Sequence, residues 1–132
     1  MIKKPHFLPG SVKMKILIVD DNYSLAEIIQ WILEDEGYEV RLAGDGEEGY
    51  LAYLHFKPDV VITDLHMPEK NGLELMECIR RHDPQVKTIY MSADPWMFST
   101  RLEEEKTGHA ASILQKPFSK GELMRLLAKP AG

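Results

Sequence analysis

The sequence predicts an α/β fold, a doubly wound sheet of five parallel strands with five helices on its two faces. First, five short apolar runs alternate with five helix-like segments, a pattern typical of parallel sheets covered by helices. Second, the length of 132 residues suits one domain with one hydrophobic core. Third, a polar residue with binding chemistry follows four of the five apolar runs: Asp20, Asp64, Ser92 and Lys116.

Turn and capping signals delimit the elements of the first half. Either Asn22 or a capping box at Ser24 begins the first helix, and Gly37 ends it. Asp45 starts the second helix, and Pro58 separates that helix from the third strand. We therefore expect strand, helix, strand, helix and strand, in that order, at 15–19, 23–36, 38–42, 45–56 and 59–63.

The second half begins with a loop over 65–72, because a proline and an Asn-Gly pair interrupt regular structure there. Gly108 ends the fourth helix. The last helix directs Leu123, Leu126 and Leu127 inward. We expect helix, strand, helix, strand and helix at 72–82, 86–91, 96–107, 110–115 and 119–128.

Two further patterns predict how the helices are buried. Trp31 and Trp96 are expected to be partly buried helix residues. One stripe of the first helix carries four apolar side chains at helical spacing: Leu25, Ile28, Ile29 and Ile32.

Composition excludes several classes of protein. The formal net charge is −5 and no long basic run occurs, so we expect no direct nucleic-acid binding by this chain. The single cysteine, Cys78, rules out an internal disulfide and a multi-cysteine metal site. No apolar stretch reaches the roughly 18 residues of a membrane span, so we expect a cytoplasmic protein without a membrane partner.

The two ends of the chain are expected to lie outside the domain. Pro5 and Pro9 interrupt any signal-peptide core, so residues 1–13 are predicted to be a flexible leader, natural or from cloning. The domain then covers residues 14–129, and residues 130–132 form a tail.

The polar residues after the strands predict one site. The carboxyl ends of parallel strands share an edge of the sheet, where open α/β sheets bind ligands. Three carboxylates (Asp20, Asp21 and Asp64) would meet there with the Ser92 hydroxyl and the Lys116 ammonium. Carboxylates this close raise one another's pKa unless a cation neutralises them. Magnesium fits best, because it takes one or two carboxylates and keeps waters for substrate oxygens; calcium is the competing assignment.

Five short stretches resemble the receiver domain of two-component response regulators, the CheY-like family. Any one stretch alone is a weak signal, but all five occur in the family's order and spacing across residues 14–128. The resemblance implies the flavodoxin-like strand order 2-1-3-4-5, which places strands one and three side by side. The stretches are Ile18–Asn22, Val61–Pro68, Asn71–Gly72, Met91–Ala93 and Gln115–Phe118.

The resemblance also implies roles for the acidic residues. Asp64 resembles the phosphoacceptor. Asp21 and Asp64 resemble direct ligands of Mg²⁺, with the main-chain carbonyl of His66 as a third ligand. Asp20 resembles the outer carboxylate that orients metal-bound water. The imidazole of His66 is expected to point outward beside the site.

Other positions follow the family or depart from it. Lys116 and Ser92 resemble the residues that bind the phosphoryl oxygens, and the peptide before Pro117 is expected to be cis. Many members carry an aromatic switch residue where this chain has Ile113. We therefore expect the signal to pass through Ser92 and the loop at 93–96.

That loop contains Ala93 and Asp94. By analogy with the family, Asp94 and His66 flank the site and could tune the lifetime of the acyl phosphate.

Three functions compete for this sequence. The first is a phosphorylation-activated switch of a two-component phosphorelay, which is not an enzyme beyond assisting its own phosphorylation and dephosphorylation. Its partners would be a sensor histidine kinase or histidine phosphotransfer protein, and a downstream effector protein or output domain. The effector would bind the face around helix 4, strand 5 and helix 5.

The second function is an interaction module that keeps the fold without depending on phosphorylation. Such a module should have lost Asp64, Lys116 or a member of the acidic pair, and none is lost. The third is a phosphohydrolase with an aspartate nucleophile after the first strand and a second aspartate two residues later, a spacing that residues 20–23 lack.

Overall fold

Five parallel strands form one sheet in the computed structural model, which describes residues 13–129. The strands are β1 (Lys15–Val19), β2 (Glu39–Ala43), β3 (Val60–Asp64), β4 (Lys87–Ser92) and β5 (Ala111–Gln115). Their order is β2-β1-β3-β4-β5, which confirms the doubly wound fold. The predicted leader lies outside the described residues except for Lys13, and the predicted tail lies wholly outside them.

Five α-helices connect and follow the strands within the described part of the chain. They are α1 (Tyr23–Asp35), α2 (Gly46–Phe56), α3 (Gly72–Arg80), α4 (Ser99–Gly108) and α5 (Lys120–Ala128). None of these described helices has the length and the apolar composition needed to cross a membrane.

The buried side chains form two clusters, one on each face of the sheet. Along β1, Ile16 and Ile18 enter the first core while Leu17 and Val19 enter the second, as the alternation of a strand requires. Helices α1 and α5 cover the first core, and α2, α3 and α4 cover the second. Burying a side chain of this size stabilises a fold by about 1.5–3 kcal/mol.

Side-chain caps explain where the helices begin. The Asn22 side chain accepts a hydrogen bond from the Leu25 amide, which decides the start of α1 in favour of Asn22 over Ser24. Asp45 precedes α2 as its cap, since its side chain accepts from an amide in the first turn. Gly37 follows α1 with a φ of 100°, the left-handed conformation that glycine adopts without strain.

The predicted helix at 96–107 is two elements. A 3-10 turn (Pro95–Phe98) comes first, and α4 begins only at Ser99. Pro95 suits the first position of a helical turn, because its φ is fixed and it lacks an amide hydrogen. Phe98 then interrupts the helix with a φ of −121° and offers no side-chain cap to α4.

The prediction that both tryptophans are partly buried is wrong. Trp31 is 72% exposed and Trp96 is 63% exposed. The α1 residues that enter the core are Ala26, Ile29 and Leu33. Trp31 lies two residues beyond Ile29, roughly 200° around the helix, so its ring faces away from the sheet.

The predicted apolar stripe of α1 lies on one side of the helix, but only Ile29 is buried in the core. Ile28 remains 57% exposed. The stripe lines a groove of about 410 Å³ between α1 and α5, which Phe118 and Leu123 complete.

Arg80, at the end of α3, ties three elements together. Its guanidinium donates to the Val86 carbonyl over 3.0 Å and to the Thr88 hydroxyl over 2.9 Å. It also donates to Glu105 Oε1 of α4 over 3.1 and 3.2 Å. The Tyr90 hydroxyl donates to the same oxygen over 2.6 Å. Burial, and then the bond to Glu105, raise the pKa of Tyr90 far above its ordinary value, so this hydroxyl remains a donor.

Candidate functional site

The ends of four strands bring the predicted polar residues to one edge of the sheet. Asp20 comes directly after β1, Asp64 and Ser92 end β3 and β4, and Lys116 follows β5. Backbone hydrogen bonds fix these positions, since the Asp20 amide donates to the Ala43 carbonyl over 3.0 Å and the Lys116 amide to the Ser92 carbonyl over 2.9 Å.

The three aspartates converge on one point. Asp20, Asp21 and Asp64 each offer a carboxylate oxygen, and these oxygens all lie within 4.8 Å of one another. Asp20 and Asp64 are buried, whereas Asp21 is exposed. The Asn22 amide orients Asp20 Oδ1 over 2.9 Å. A cluster of hard oxygens, open to water on one side, fits a small divalent cation such as Mg²⁺.

Lys116 bridges two of these carboxylates. Its Nζ lies 3.2 Å from Asp20 Oδ2 and 3.6 Å from Asp64 Oδ2. The lysine side chain is half-buried, so its charge is only partly screened by water. One ammonium thus neutralises part of the negative charge of the cluster and lies beside the position that a group bound to Asp64 would occupy.

The pKa of Asp64 is raised above its ordinary value. Burial is the largest cause, the nearby Lys116 charge opposes it, and the Asp20 charge adds to it. Repulsion between carboxylates, the cause expected from the sequence, is therefore smaller here than the loss of hydration. The Asp64 carboxylate is poorly solvated and lies close to one cation, which suits a nucleophile.

We expect Asp64→Asn to raise the midpoint of thermal unfolding in neutral, metal-free buffer. The folded-state pKa of Asp64 lies above the unfolded value, so ionising Asp64 destabilises the folded protein as the pH rises through that interval. Below the ordinary aspartate pKa of about 3.9, both states are protonated and the gain should vanish. Thermal melts at both pH values test this prediction, and an equal gain at both would contradict it. The control is Glu27→Gln, at an exposed position in the second turn of α1, and it should shift the midpoint by much less than Asp64→Asn.

Ser92 and His66 meet beside the acidic cluster. His66 is exposed as expected, but its ring does not simply point outward: Nε2 lies 3.0 Å from the Oγ of Ser92. The Ser92 Oγ also accepts a hydrogen bond from the Asp94 amide over 2.9 Å. The side chains of Asp94 and Ala93 are exposed, and Ile113 is half-buried. The peptide between Lys116 and Pro117 is cis, as expected.

Gly72 is a site residue whose role the sequence did not reveal. A Cβ at this position would lie 2.4 Å from the backbone carbonyl oxygen of Asp64. The Gly72 amide donates to the Leu65 carbonyl over 3.2 Å, which keeps α3 against the end of β3. The Asn71-Gly72 pair did signal a loop, but nothing in it shows which backbone the glycine approaches.

We expect Gly72→Ala to lower the free energy of unfolding by at least about 2 kcal/mol, because the contact is with backbone and cannot be relieved by a side-chain rotation. Gly108→Ala is the matched control, since a Cβ there meets nothing within 4 Å. Chemical denaturation measures both, and equal stability of the two variants would refute the steric explanation.

The chain matches a known family over nearly its whole length. The match is to the response regulator receiver domain and covers residues 16–128. Among solved structures, the chemotaxis protein CheY4 of Vibrio cholerae is 29% identical with a TM-score of 0.79, over 88% of this chain and 97% of that one. A receiver domain protein from Clostridium thermocellum is 27% identical with a TM-score of 0.77, over 86% and 90%.

Curated relatives are longer proteins. The transcriptional regulatory protein TrcR of Mycobacterium tuberculosis is 31% identical over 92% of this chain and 46% of that protein. The DNA-binding response regulator MtrA of Mycobacterium bovis is 32% identical over 86% and 49%. The chain therefore spans about half the length of these relatives. Since the family match extends over more than half of the sequence, the chain belongs to the receiver domains of two-component response regulators.

Proposed function

We propose that this chain is a phosphorylation-activated switch of a two-component phosphorelay, in which Asp64 is the phosphoacceptor. The observation that carries the proposal is that Asp64 shares a cluster with two other aspartates, whose oxygens lie within 4.8 Å of one another, and lies 3.6 Å from the Lys116 ammonium. The phosphoryl donor would be a sensor histidine kinase or a histidine phosphotransfer protein.

The metal site would consist of oxygen ligands from the acidic cluster. Asp21, Asp64 and the main-chain carbonyl of His66 would be direct ligands of Mg²⁺, and Asp20 would act through metal-bound water. Bound Mg²⁺ would supply positive charge next to the phosphoryl oxygens.

The chemical step is a displacement at phosphorus. An oxygen of Asp64 forms a bond with the phosphorus, the bond from phosphorus to the donor nitrogen or oxygen breaks, and its electron pair leaves with the donor. Lys116 would pair with one phosphoryl oxygen, and the Ser92 hydroxyl would donate to another. Such a reaction depends on positioning and charge neutralisation more than on covalent assistance.

The phosphorylated chain would bind its effector through the face around α4, β5 and α5. That effector is a separate protein or an output domain, and the length of the relatives supports the second possibility. The receiver domain is a signalling fold and not a classical enzyme. We place the chain in the cytoplasm and assign nucleic-acid binding, where the pathway includes it, to the output partner.

Intact mass spectrometry tests this function directly. The protein is incubated with acetyl phosphate, with and without Mg²⁺, and compared with Asp64→Asn. We expect one phosphoryl adduct that requires Mg²⁺ and is absent from Asp64→Asn. The exposed Asp35→Asn variant should be phosphorylated like the unsubstituted protein. Failure of the unsubstituted protein to form an adduct would favour an interaction module that does not depend on phosphorylation.

A further inference from the structure

One imidazole connects the acidic site with the 3-10 turn before α4. His66 lies in the loop after β3, and its Nε2 lies 3.0 Å from Ser92 Oγ at the end of β4. Its ring also contacts Phe98 of the 3-10 turn, with ring centroids 5.2 Å apart and planes inclined by 58°. His66 therefore contacts both a residue of the predicted site and the segment that leads into α4.

The Ser92 hydroxyl already has partners in this arrangement. Its oxygen accepts a hydrogen bond from the Asp94 amide over 2.9 Å, and the side chain is fully buried. A hydroxyl has one donor and two acceptor positions. If Nε2 is the acceptor, the Ser92 hydroxyl donates to His66, and turning the hydroxyl toward a new acceptor breaks that bond. If Nε2 carries the proton, it donates to Ser92 Oγ, and the bond lengthens when the Ser92 side chain moves toward its new partner.

We propose that His66 is a positioning residue that transmits a change of partner at Ser92 to Phe98 and thereby to the 3-10 turn. The inference rests on the proposed function, because a phosphoryl group on Asp64 is the new partner of the hydroxyl. Phe98 packs against the second core, so movement of its ring displaces the turn to which it belongs. Residue 113 of β5 is an isoleucine and not an aromatic residue. The aromatic contact that we place next to Ser92 is therefore the one between His66 and Phe98.

Trp96 reports on this turn, since it lies two residues before Phe98 and is 63% exposed. The chain has only one other tryptophan, Trp31, which is 72% exposed and can be replaced by phenylalanine without disturbing the core. In this Trp31→Phe background, acetyl phosphate with Mg²⁺ is the probe. The change in Trp96 emission is divided by the phosphorylated fraction from intact mass, so phosphorylation and transmission are measured separately.

Two substitutions separate the two contacts of His66. His66→Phe keeps a ring against Phe98 without the hydrogen bond to Ser92, and His66→Gln keeps a hydrogen-bonding group without the ring. Both variants keep the main-chain carbonyl of residue 66, and we expect each to lose more than half of the emission change per phosphorylated chain. His55→Gln is the control, because His55 is an exposed α2 residue bonded to a carbonyl of its own helix, and it should respond like the unsubstituted protein.

Three results would overturn the inference. A full emission change per phosphorylated chain in either His66 variant would show that this side chain transmits nothing. An adduct without any emission change in the protein that retains His66 would show that the turn does not respond. The absence of an adduct in that same protein would overturn the inference together with the proposed function.

Discussion

Arg80→Leu should lower the free energy of unfolding by about 3 kcal/mol, because it removes one partner of a buried ion pair. The arginine side chain is only 7% exposed and holds Glu105 at 3.1 Å. Without the guanidinium, the Glu105 carboxylate is 20% exposed and keeps two side-chain partners, the Tyr90 hydroxyl at 2.6 Å and His109 Nε2 at 3.8 Å. Removing one partner of a buried ion pair typically costs about 3–5 kcal/mol, and partial exposure of Glu105 places this case at the lower end.

Urea denaturation monitored by circular dichroism measures this loss, and the neighbouring residue supplies the control. Arg81 is exposed, so Arg81→Leu should change the stability by less than about 0.5 kcal/mol. Adding Glu105→Leu to Arg80→Leu should restore part of the loss, because the uncompensated charge disappears. Additive losses in the double variant would show that the two side chains act independently.

Lys116→Met should slow phosphoryl uptake from acetyl phosphate by at least about 100-fold. The ammonium is the cation within 3.6 Å of Asp64, and removing one preorganised group that stabilises transition-state charge typically costs a factor of about 10²–10³. The same change should not weaken Mg²⁺ binding, because Lys116 competes with a metal cation for Asp20 and Asp64. The rate of adduct formation by intact mass and the thermal stabilisation by Mg²⁺ give the two measurements.

The control for this prediction is Lys120→Met. Lys120 is exposed on the first turn of α5 and pairs with Glu36 at 3.1 Å, away from the acidic cluster. Its removal should change the rate of phosphoryl uptake by less than twofold. A Lys116→Met variant that loses both its phosphorylation and its stabilisation by Mg²⁺ would mean that the lysine organises the site instead of acting on the phosphoryl group.

The fold was predictable because each strand is a short apolar run in the sequence. The site was predictable because the topology of a parallel sheet brings the carboxyl ends of the strands together. Asp20, Asp64, Ser92 and Lys116 each lie within one residue of the end of a strand. Once the strands are parallel and their order is known, these residues lie at one edge of the sheet, whatever the side-chain packing elsewhere.

Contacts between distant segments could not be predicted in this way. Arg80 and Glu105 are 25 residues apart, and each alone has the sequence appearance of a surface charge. The direction of the His66 ring depends on Phe98, which the sequence placed inside a regular helix. Gly72 is required by a backbone oxygen eight residues earlier, a contact that exists only when α3 lies against the end of β3.

The exposure of the tryptophans shows a second kind of error. An apolar residue on a helix is expected to be buried. Two residues that are two positions apart, however, lie on opposite sides of the helix. Trp31 is such a case, since it lies two positions beyond the buried Ile29 and therefore on the opposite side of α1.

The interior is divided into two cores, one on each face of the sheet. The helices on one face can therefore change in sequence during evolution independently of the helices on the other face. The sheet lies between the cores, and among the described residues the buried side chains under α1 and α5 belong to a different cluster from Tyr90 and Leu102, which lie under α4. Stability changes on opposite faces should then be close to additive. Selection could reshape the α1 and α5 side to suit a new partner while the Arg80 and Glu105 connection, and the element that it restrains, stay unchanged.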